Sequence, residues 1–423
     1  MTVLSARSAR RRFLILTGLR WLPTGLLVPV FVLLAVSRGL SLTEIGLVFA
    51  LQGLTVLLLE LPTGGLSDAL GRRPVLILAS IVGVFSLGLL YVADSLALFA
   101  AATISQGVFR ALDSGPLEAW YVDATLAADP DAEIEKGLSA ATAVLSVAIA
   151  LGALASGLLV AIDPVPEVAA LALPLLVALV LGIVNIVFIV WLMSEPRAAR
   201  GMAAIGRSVR AVPTVVVDGI GLLRTSNVLL GLVAVELFWG FSMVTFETLF
   251  PIRLSEAVGD TNQAAALMGP VSSIAWFVAA GAAAGVILIS NRIGVARSAA
   301  LLRLIQGAAI MAMGLLAGPL GVVIAFLTTY AAHGASNPMH MTLLHREVDG
   351  PHRATVISLN SMVSQPAGAI GGIALAALAE GTSIATAMVV GGIICAAAAP
   401  LYIPALRAER RRSAARKERP SAA

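Results

Sequence analysis

Cysteine is almost absent from this chain: Cys395 stands alone among 423 residues, inside an apolar run. A single thiol excludes an internal disulfide and a cysteine-built metal centre. Lysine is nearly as scarce, with Lys136 and Lys417 the only two among 28 basic residues, a bias that goes with a GC-rich bacterial genome. Charged residues make up 12% of the chain, about half the usual share. There is no Gly-x-Ser-x-Gly elbow, no His-Glu-x-x-His pair, no phosphate loop closing on Gly-Lys-Ser/Thr and no dinucleotide fingerprint. Asp129-Pro130-Asp131-Ala132-Glu133 spaces carboxylates without the rest of a calcium loop and reads as a solvated connection. The expectation is therefore a chain that is not an enzyme and carries neither cofactor nor metal.

What fills the space is hydrophobic: 59% of residues, with a mean hydropathy of +0.96. No soluble core hides that much apolar surface, so lipid is the solvent. A span needs about 20 apolar residues, and the chain has room for twelve with short loops. The runs predict spans at 13–36, 43–62, 75–93, 96–120, 137–162, 168–193, 226–250, 263–289, 298–317, 319–343, 354–379 and 383–405. Arg7 to Arg12 followed by an apolar run mimics a signal peptide. The run from Phe13 to Val36 is too long for one and reads as span one.

Loop charge gives the orientation. Arg7, Arg10, Arg11 and Arg12, then Arg72 and Arg73, then five arginines between 197 and 224, then Arg292, Arg297, Arg346, Arg353 and, in the tail, six arginines with Lys417 all fall on one side. The other side has Arg38 and Arg253 only. That asymmetry predicts both termini in the cytoplasm of a bacterial cell membrane. The formal net charge of +4 thus reports topology, and no nucleic-acid partner is expected. The stretch 194–225 is Arg-rich with apolar residues interspersed, which suits either an interfacial helix or a plain tether.

A charge at mid-bilayer costs roughly 2.5–3.5 kcal/mol, so ionisable groups inside spans mark partners or wet cavities. Arg20 lies in span one, Arg110 and Asp113 in span four, Glu236 and Glu247 in span seven, and His333 and His340 in span ten, with Asn337 between the histidines. Arg303, in span nine, is the exception. Arg110 and Asp113 are three apart and share a face, so they predict a pair that protonation of Asp113 would release; a static ion pair is the plainer reading. Eleven residues place Glu236 and Glu247 on one helix face about 16 Å apart, two stations on one path at most. The histidines suit proton movement or plain hydrogen bonding within the bundle. Arg20 suits an anionic group, an acidic partner or snorkelling to the surface. Trp21, Phe31, Trp239, Phe241 and Phe246 read as an aromatic wall or as ordinary packing.

Two internal echoes relate the halves. Gly71 recurs at Gly294, a shift of 223, and Ser114-Gly115-Pro116 recurs as Ser336-Asn337-Pro338, a shift of 222. Near-equal shifts predict a duplicated six-helix unit.

Between spans two and three stands Gly64-Gly65-Leu66-Ser67-Asp68-Ala69-Leu70-Gly71-Arg72-Arg73, read as a tight glycine-rich turn. It resembles the signature loop of the major facilitator superfamily, matching at Gly64, Leu66, Asp68, Gly71, Arg72 and Arg73 and departing at Ala69. The resemblance implies an all-α membrane protein: twelve transmembrane helices in two pseudo-symmetric six-helix bundles around a central cavity. The bundles would be 1–193 and 226–405, joined by a cytoplasmic linker at 194–225 and followed by a basic tail at 406–423. It also implies a conformational-switch role for Gly64, Asp68, Gly71, Arg72 and Arg73. A cavity role in substrate binding or proton coupling follows for Arg20, Arg110, Asp113, Glu236, His333, Asn337 and His340.

Span four resembles the helix-four motif of the drug-efflux branch, with Asp113 where Gln is common and Gly115 one place late. Pro366, Gly368, Gly371 and Gly372 resemble the glycine-proline motif of drug/proton antiporters and suit a packing hinge. That motif belongs on helix five, which here has Gly152 and Gly157 without a proline. The function implied is secondary transport by a monomer whose partners are a small molecule, protons and the bilayer. Proton-coupled efflux of largely apolar compounds leads; uptake of a metabolite and a non-transporting sensor are the alternatives.

Overall fold

The structure is a computed structural model and describes residues 4–195, 221, 223, 226–348 and 353–418; side chains are described except at 61, 62, 64, 65, 68, 353–359, 361 and 413–418. The predicted linker and the end of the basic tail lie almost wholly outside the described residues, as do the side chains of Gly64 and Asp68. Among the described residues every regular element is helical. Twelve spans follow in order: α1 (Ala6–Ser37), α2 (Leu42–Leu70), α3 (Arg72–Val92), α4 (Leu96–Asp113 and Pro116–Ala128), α5 (Ile134–Ile162), α6 (Leu173–Leu192), α7 (Asn227–Val258), α8 (Thr261–Ile293), α9 (Val295–Leu315), α10 (Pro319–Glu347), α11 (Arg353–Gly381) and α12. The last runs Ile384–Ala397 and continues through a short turn, Ala399–Tyr402, into Ile403–Glu418.

Local chemistry sets these bounds. Ser41 caps α2 and forms a reciprocal box with Glu44, while Ser226 and Ser383 accept the N–H groups of Leu229 and Thr386. Pro29, which has no N–H, sits in the turn that interrupts α1 at 28–30. Ten of the helices are long and apolar enough to cross a bilayer. The two that fall short are α4 and α10, where a break or polar side chains lower the hydropathy. Large apolar side chains remain outside, among them Trp191 at 74% and Leu288 at 71% exposure, as lipid-facing residues must.

Three sequence expectations need correction. The supposed turn after Gly64 is helix as far as Leu70, and only Gly71, at φ +92°, reverses the chain. The residues between are good helix formers, so a single left-handed glycine suffices. Span four is not continuous: Ser114 is extended and Gly115 takes φ +93°, with Pro116 opening the second segment. Its echo at 336–338 does not break α10, which passes through Pro338. In α7 a π turn at Thr245–Leu249, which contains Glu247, departs from the α-helical register on which the shared face with Glu236 was read.

The chain divides into two compact units. The first comprises Met1–Val212 with Val258–Trp276, and the second Pro213–Ala257 with Phe277–Ala423. In the first, Phe13, Leu16, Leu76, Trp120 and Tyr121 form a core in which Phe13 stacks on Tyr121 at 4.5 Å. Gly25 and Gly152 let α1 and α5 touch backbone to backbone, and Gly157 does the same with Gly269. In the second, Leu232, Val235, Ala299, Leu343, Leu344 and Tyr402 form the core. Gly240 lies against Ser364 and Gly371 against Phe241, which joins α7 to α11 through backbone contact.

α3 and α9 are clamped in the same manner. Each follows a glycine near φ +92°, Gly71 and Gly294. The Glu195 carboxylate accepts the N–H groups of Arg72 and Arg73 at 3.0 and 2.9 Å, and Glu409 accepts those of Val295 and Ala296 at 3.0 and 3.2 Å. At the far ends Arg38 donates to the carbonyls of Leu90, Tyr91 and Ala93, and Arg253 to those of Met313, Gly314 and Leu316. Anion at the N-terminus and cation at the C-terminus satisfy the unpaired end groups and oppose the helix dipole. The two arginines that break the charge asymmetry are therefore these caps.

Candidate functional site

In the first unit the buried carboxylate is Asp113, 4% exposed, at the last residue before the break in α4. Its partner is Arg20 of α1, which makes an ion pair through Nε and lies over the Trp21 ring at 5.1 Å. The expected pairing with Arg110 is corrected here. Arg110 presents an exposed side chain, while Asp113, on the same helical segment, is buried and faces Arg20. A cavity of about 40 Å³ lies beside the pair, lined by Arg20, Thr24, Ser80, Gln106 and Asn185 among others. That volume takes a few waters. Asn185 donates to Ser80 at 3.3 Å while its buried carbonyl oxygen has no partner, so one acceptor at the cavity is open.

In the second unit Glu236 of α7 is 7% exposed and meets His340 Nε2 at 3.4 Å. Asn360 Oδ1 lies 3.1 Å from the same nitrogen, and Tyr402 O–H lies 3.0 Å from Nδ1. Two acceptors at Nε2 assign the neutral ring its proton there, so Tyr402 donates to Nδ1. The order Tyr402, His340, Glu236 is a short relay across α12, α10 and α7. The first unit places its cation on α1 and its carboxylate on α4; the second places its carboxylate on α7 and its base on α10.

His333 does not join that relay. It stacks on Trp239, centroids 5.5 Å apart, beside Phe246 and Tyr330. Asn337 is exposed and apart from both histidines' partners. Glu247 accepts from Tyr330 O–H at 3.0 Å and is otherwise exposed. In the loop, Arg72 pairs with Asp123 and donates to Ala119 O, and Arg73 donates to Val190 O. On α11 a Cβ added to Gly368 would meet Gly240 O at 3.5 Å, Gly372 is buried and Pro366 is exposed. Sequence reasoning missed Glu195, Glu409, Asn360 and Tyr402. The first two act 123 and 114 residues from the amides they cap, and the last two look like ordinary helix residues, so no local pattern marks any of them.

A helical frame of apolar, membrane-length segments, with an Arg20–Asp113 ion pair on helices one and four and a Glu236–His340 contact on helices seven and ten, defines a multi-pass membrane protein. The chain belongs to the Major Facilitator Superfamily, whose family model matches residues 13–372. No curated protein sequence matches it. Solved structures of like fold include the nucleoside transporter NupG, 13% identical, with a TM-score of 0.77 over 93% of this chain and 98% of that one. A bacterial homolog of the human lysosomal transporter Spinster, inward-facing and unoccupied, is 13% identical with a TM-score of 0.73, covering 94% and 96%. A POT family transporter with a bound thioalcohol-conjugated peptide is 14% identical with a TM-score of 0.69, covering 92% and 94%.

Proposed function

We propose that this chain is a proton-coupled secondary transporter that exports small, largely apolar compounds across a bacterial cell membrane, with both termini in the cytoplasm. The observation that carries the reading is the buried pair of Arg20 and Asp113, one residue before the break in α4. Protonating Asp113 removes its charge and releases Arg20, and the adjacent Gly115 gives the helix a place to bend. The small cavity beside Arg20, which has Thr24, Ser80, Gln106 and Asn185 on an otherwise apolar wall, leaves room for water in proton delivery. A proton crossing 100 mV supplies about 2.3 kcal/mol per charge, enough to bias two states of a switch. Alternating access completes the cycle, with the relay at Glu236 and His340 as a second proton station.

Uptake of a polar metabolite is the second reading, prompted by the nucleoside transporter among the similar folds. Proteoliposomes of defined sidedness with a pH dye inside separate the two. Export predicts that an apolar substrate dissipates an imposed proton gradient in the antiport direction, and that Asp113→Asn removes this coupling. Substrate-driven alkalinisation of the outside marks symport and overturns the export reading. Binding without any flux marks a sensor.

A further inference from the structure

One buried cation borders the relay, within electrostatic reach of Glu236 and hydrogen-bonded to Tyr402. Arg303 of α9 is 3% exposed, and among the described residues no ion pair includes it. Its Nη1 donates to Gln306 Oε1 at 2.8 Å, and its Nε has no partner. Gln306, fully buried, leaves its Nε2 unpartnered. The guanidinium carbon lies 5.9 Å from the centre of the Trp239 ring, and the buried Trp239 Nε1 is also without a partner. Three N–H groups on three neighbouring side chains thus lack an acceptor. Buried donors are nearly always satisfied, so three open ones side by side call for an acceptor.

We infer that Arg303, Gln306 and Trp239 form a receptor for the carboxylate of a compound with an apolar, aromatic body. Every unpaired group in the cluster is a donor, so a cation or a neutral donor finds no place there. Two oxygens of a carboxylate match the planar guanidinium and accept from the neighbouring N–H groups. Glu236, on the same helix as Trp239, already lies within electrostatic reach of Arg303, which disfavours a phosphate dianion over a monoanion. The body has its own surface. Trp239 and His333 are only partly buried and stack at an interplanar angle of 9°, with Phe246 and Tyr330 next to them. This makes an aromatic edge beside the donors. Calling the bound compound a substrate rests on the transport reading above; the binding itself does not.

The test uses the full chain, purified in detergent, and follows thermal unfolding against sodium benzoate, benzamide and sodium chloride. Benzoate is expected to stabilise saturably, benzamide and chloride not. Trp239→Phe keeps the ring and removes one donor, and weakens benzoate about fivefold, the usual worth of one hydrogen bond. Arg303→Gln removes the charge and weakens it more than tenfold. Equal stabilisation by benzamide, the same shift from chloride, or unchanged benzoate affinity in Trp239→Phe overturns the inference, and none of these depends on Arg303→Gln folding. Proteoliposome flux keeps the two readings apart. Benzoate binding through Arg303 without flux of any compound leaves the receptor standing and removes the transporter; flux of benzoate that ignores both substitutions removes the receptor alone.

Discussion

Removing one member of the Arg20–Asp113 pair strands the other charge in a protein interior facing lipid. Breaking a buried pair from one side costs about 3–5 kcal/mol, whereas replacing both members by neutral isosteres is far cheaper. Arg20→Gln is therefore expected to lower the unfolding temperature markedly, and Arg20→Gln with Asp113→Asn to recover much of the loss. A thermal double-mutant cycle in one detergent measures this, and additivity of the two single effects argues against a direct pair. At this scale the sequence identified the right ionisable residues and the wrong partner. Arg110 sits three residues from Asp113 in the same helical segment, but its side chain is exposed, and the cation that meets the buried carboxylate comes from another helix. Spacing within one helix does not say which neighbour packs against it.

The helices are held at their ends as firmly as along their sides. Glu195→Gln keeps the shape of the clamp on α3 and removes its charge, and hydrogen bonds to charged groups are worth about 1.5–3 kcal/mol. Amide exchange at Arg72 and Arg73 should accelerate at least tenfold in that variant, measured by hydrogen–deuterium exchange, with the matching amides at Val295 and Ala296 unaffected. Unchanged protection at Arg72 and Arg73 means the carboxylate contributes nothing. The seam between α7 and α11 is the other element-scale device. A Cβ placed on Gly371 comes within 2.2 Å of the Phe241 carbonyl oxygen, so Gly371→Val forces backbone to move. Overpacking of this kind costs about 1–3 kcal/mol, seen as a lower unfolding temperature, while Gly281→Val, where a Cβ meets nothing nearby, should be close to neutral. The glycine pattern on α11 was legible as close packing. The glutamate clamps were not, because Glu195 lies 123 residues from Arg72 and no local pattern links them.

For the molecule as a whole, the arginine asymmetry carries a topological prediction: reporters fused at the N- and C-terminus should both report the cytoplasmic side, and Arg38→Ala with Arg253→Ala should leave that topology intact while destabilising α3 and α9. A terminus reporting the outer side overturns the orientation. By itself the sequence determined the solvent, the twelve spans, the family loop and the confinement of most ionisable groups to helices one, four, seven and ten. These follow from hydropathy and helical period, which act over a few turns of one segment. Tertiary structure alone decided which cation faces Asp113, that His340 mediates between Tyr402 and Glu236, and that Arg303 is buried among unpaired donors. Those choices depend on how separate helices rotate and cross, and on one glycine and one π turn that shift register. The physical cause is packing between segments far apart in the chain, and one-dimensional spacing does not encode it.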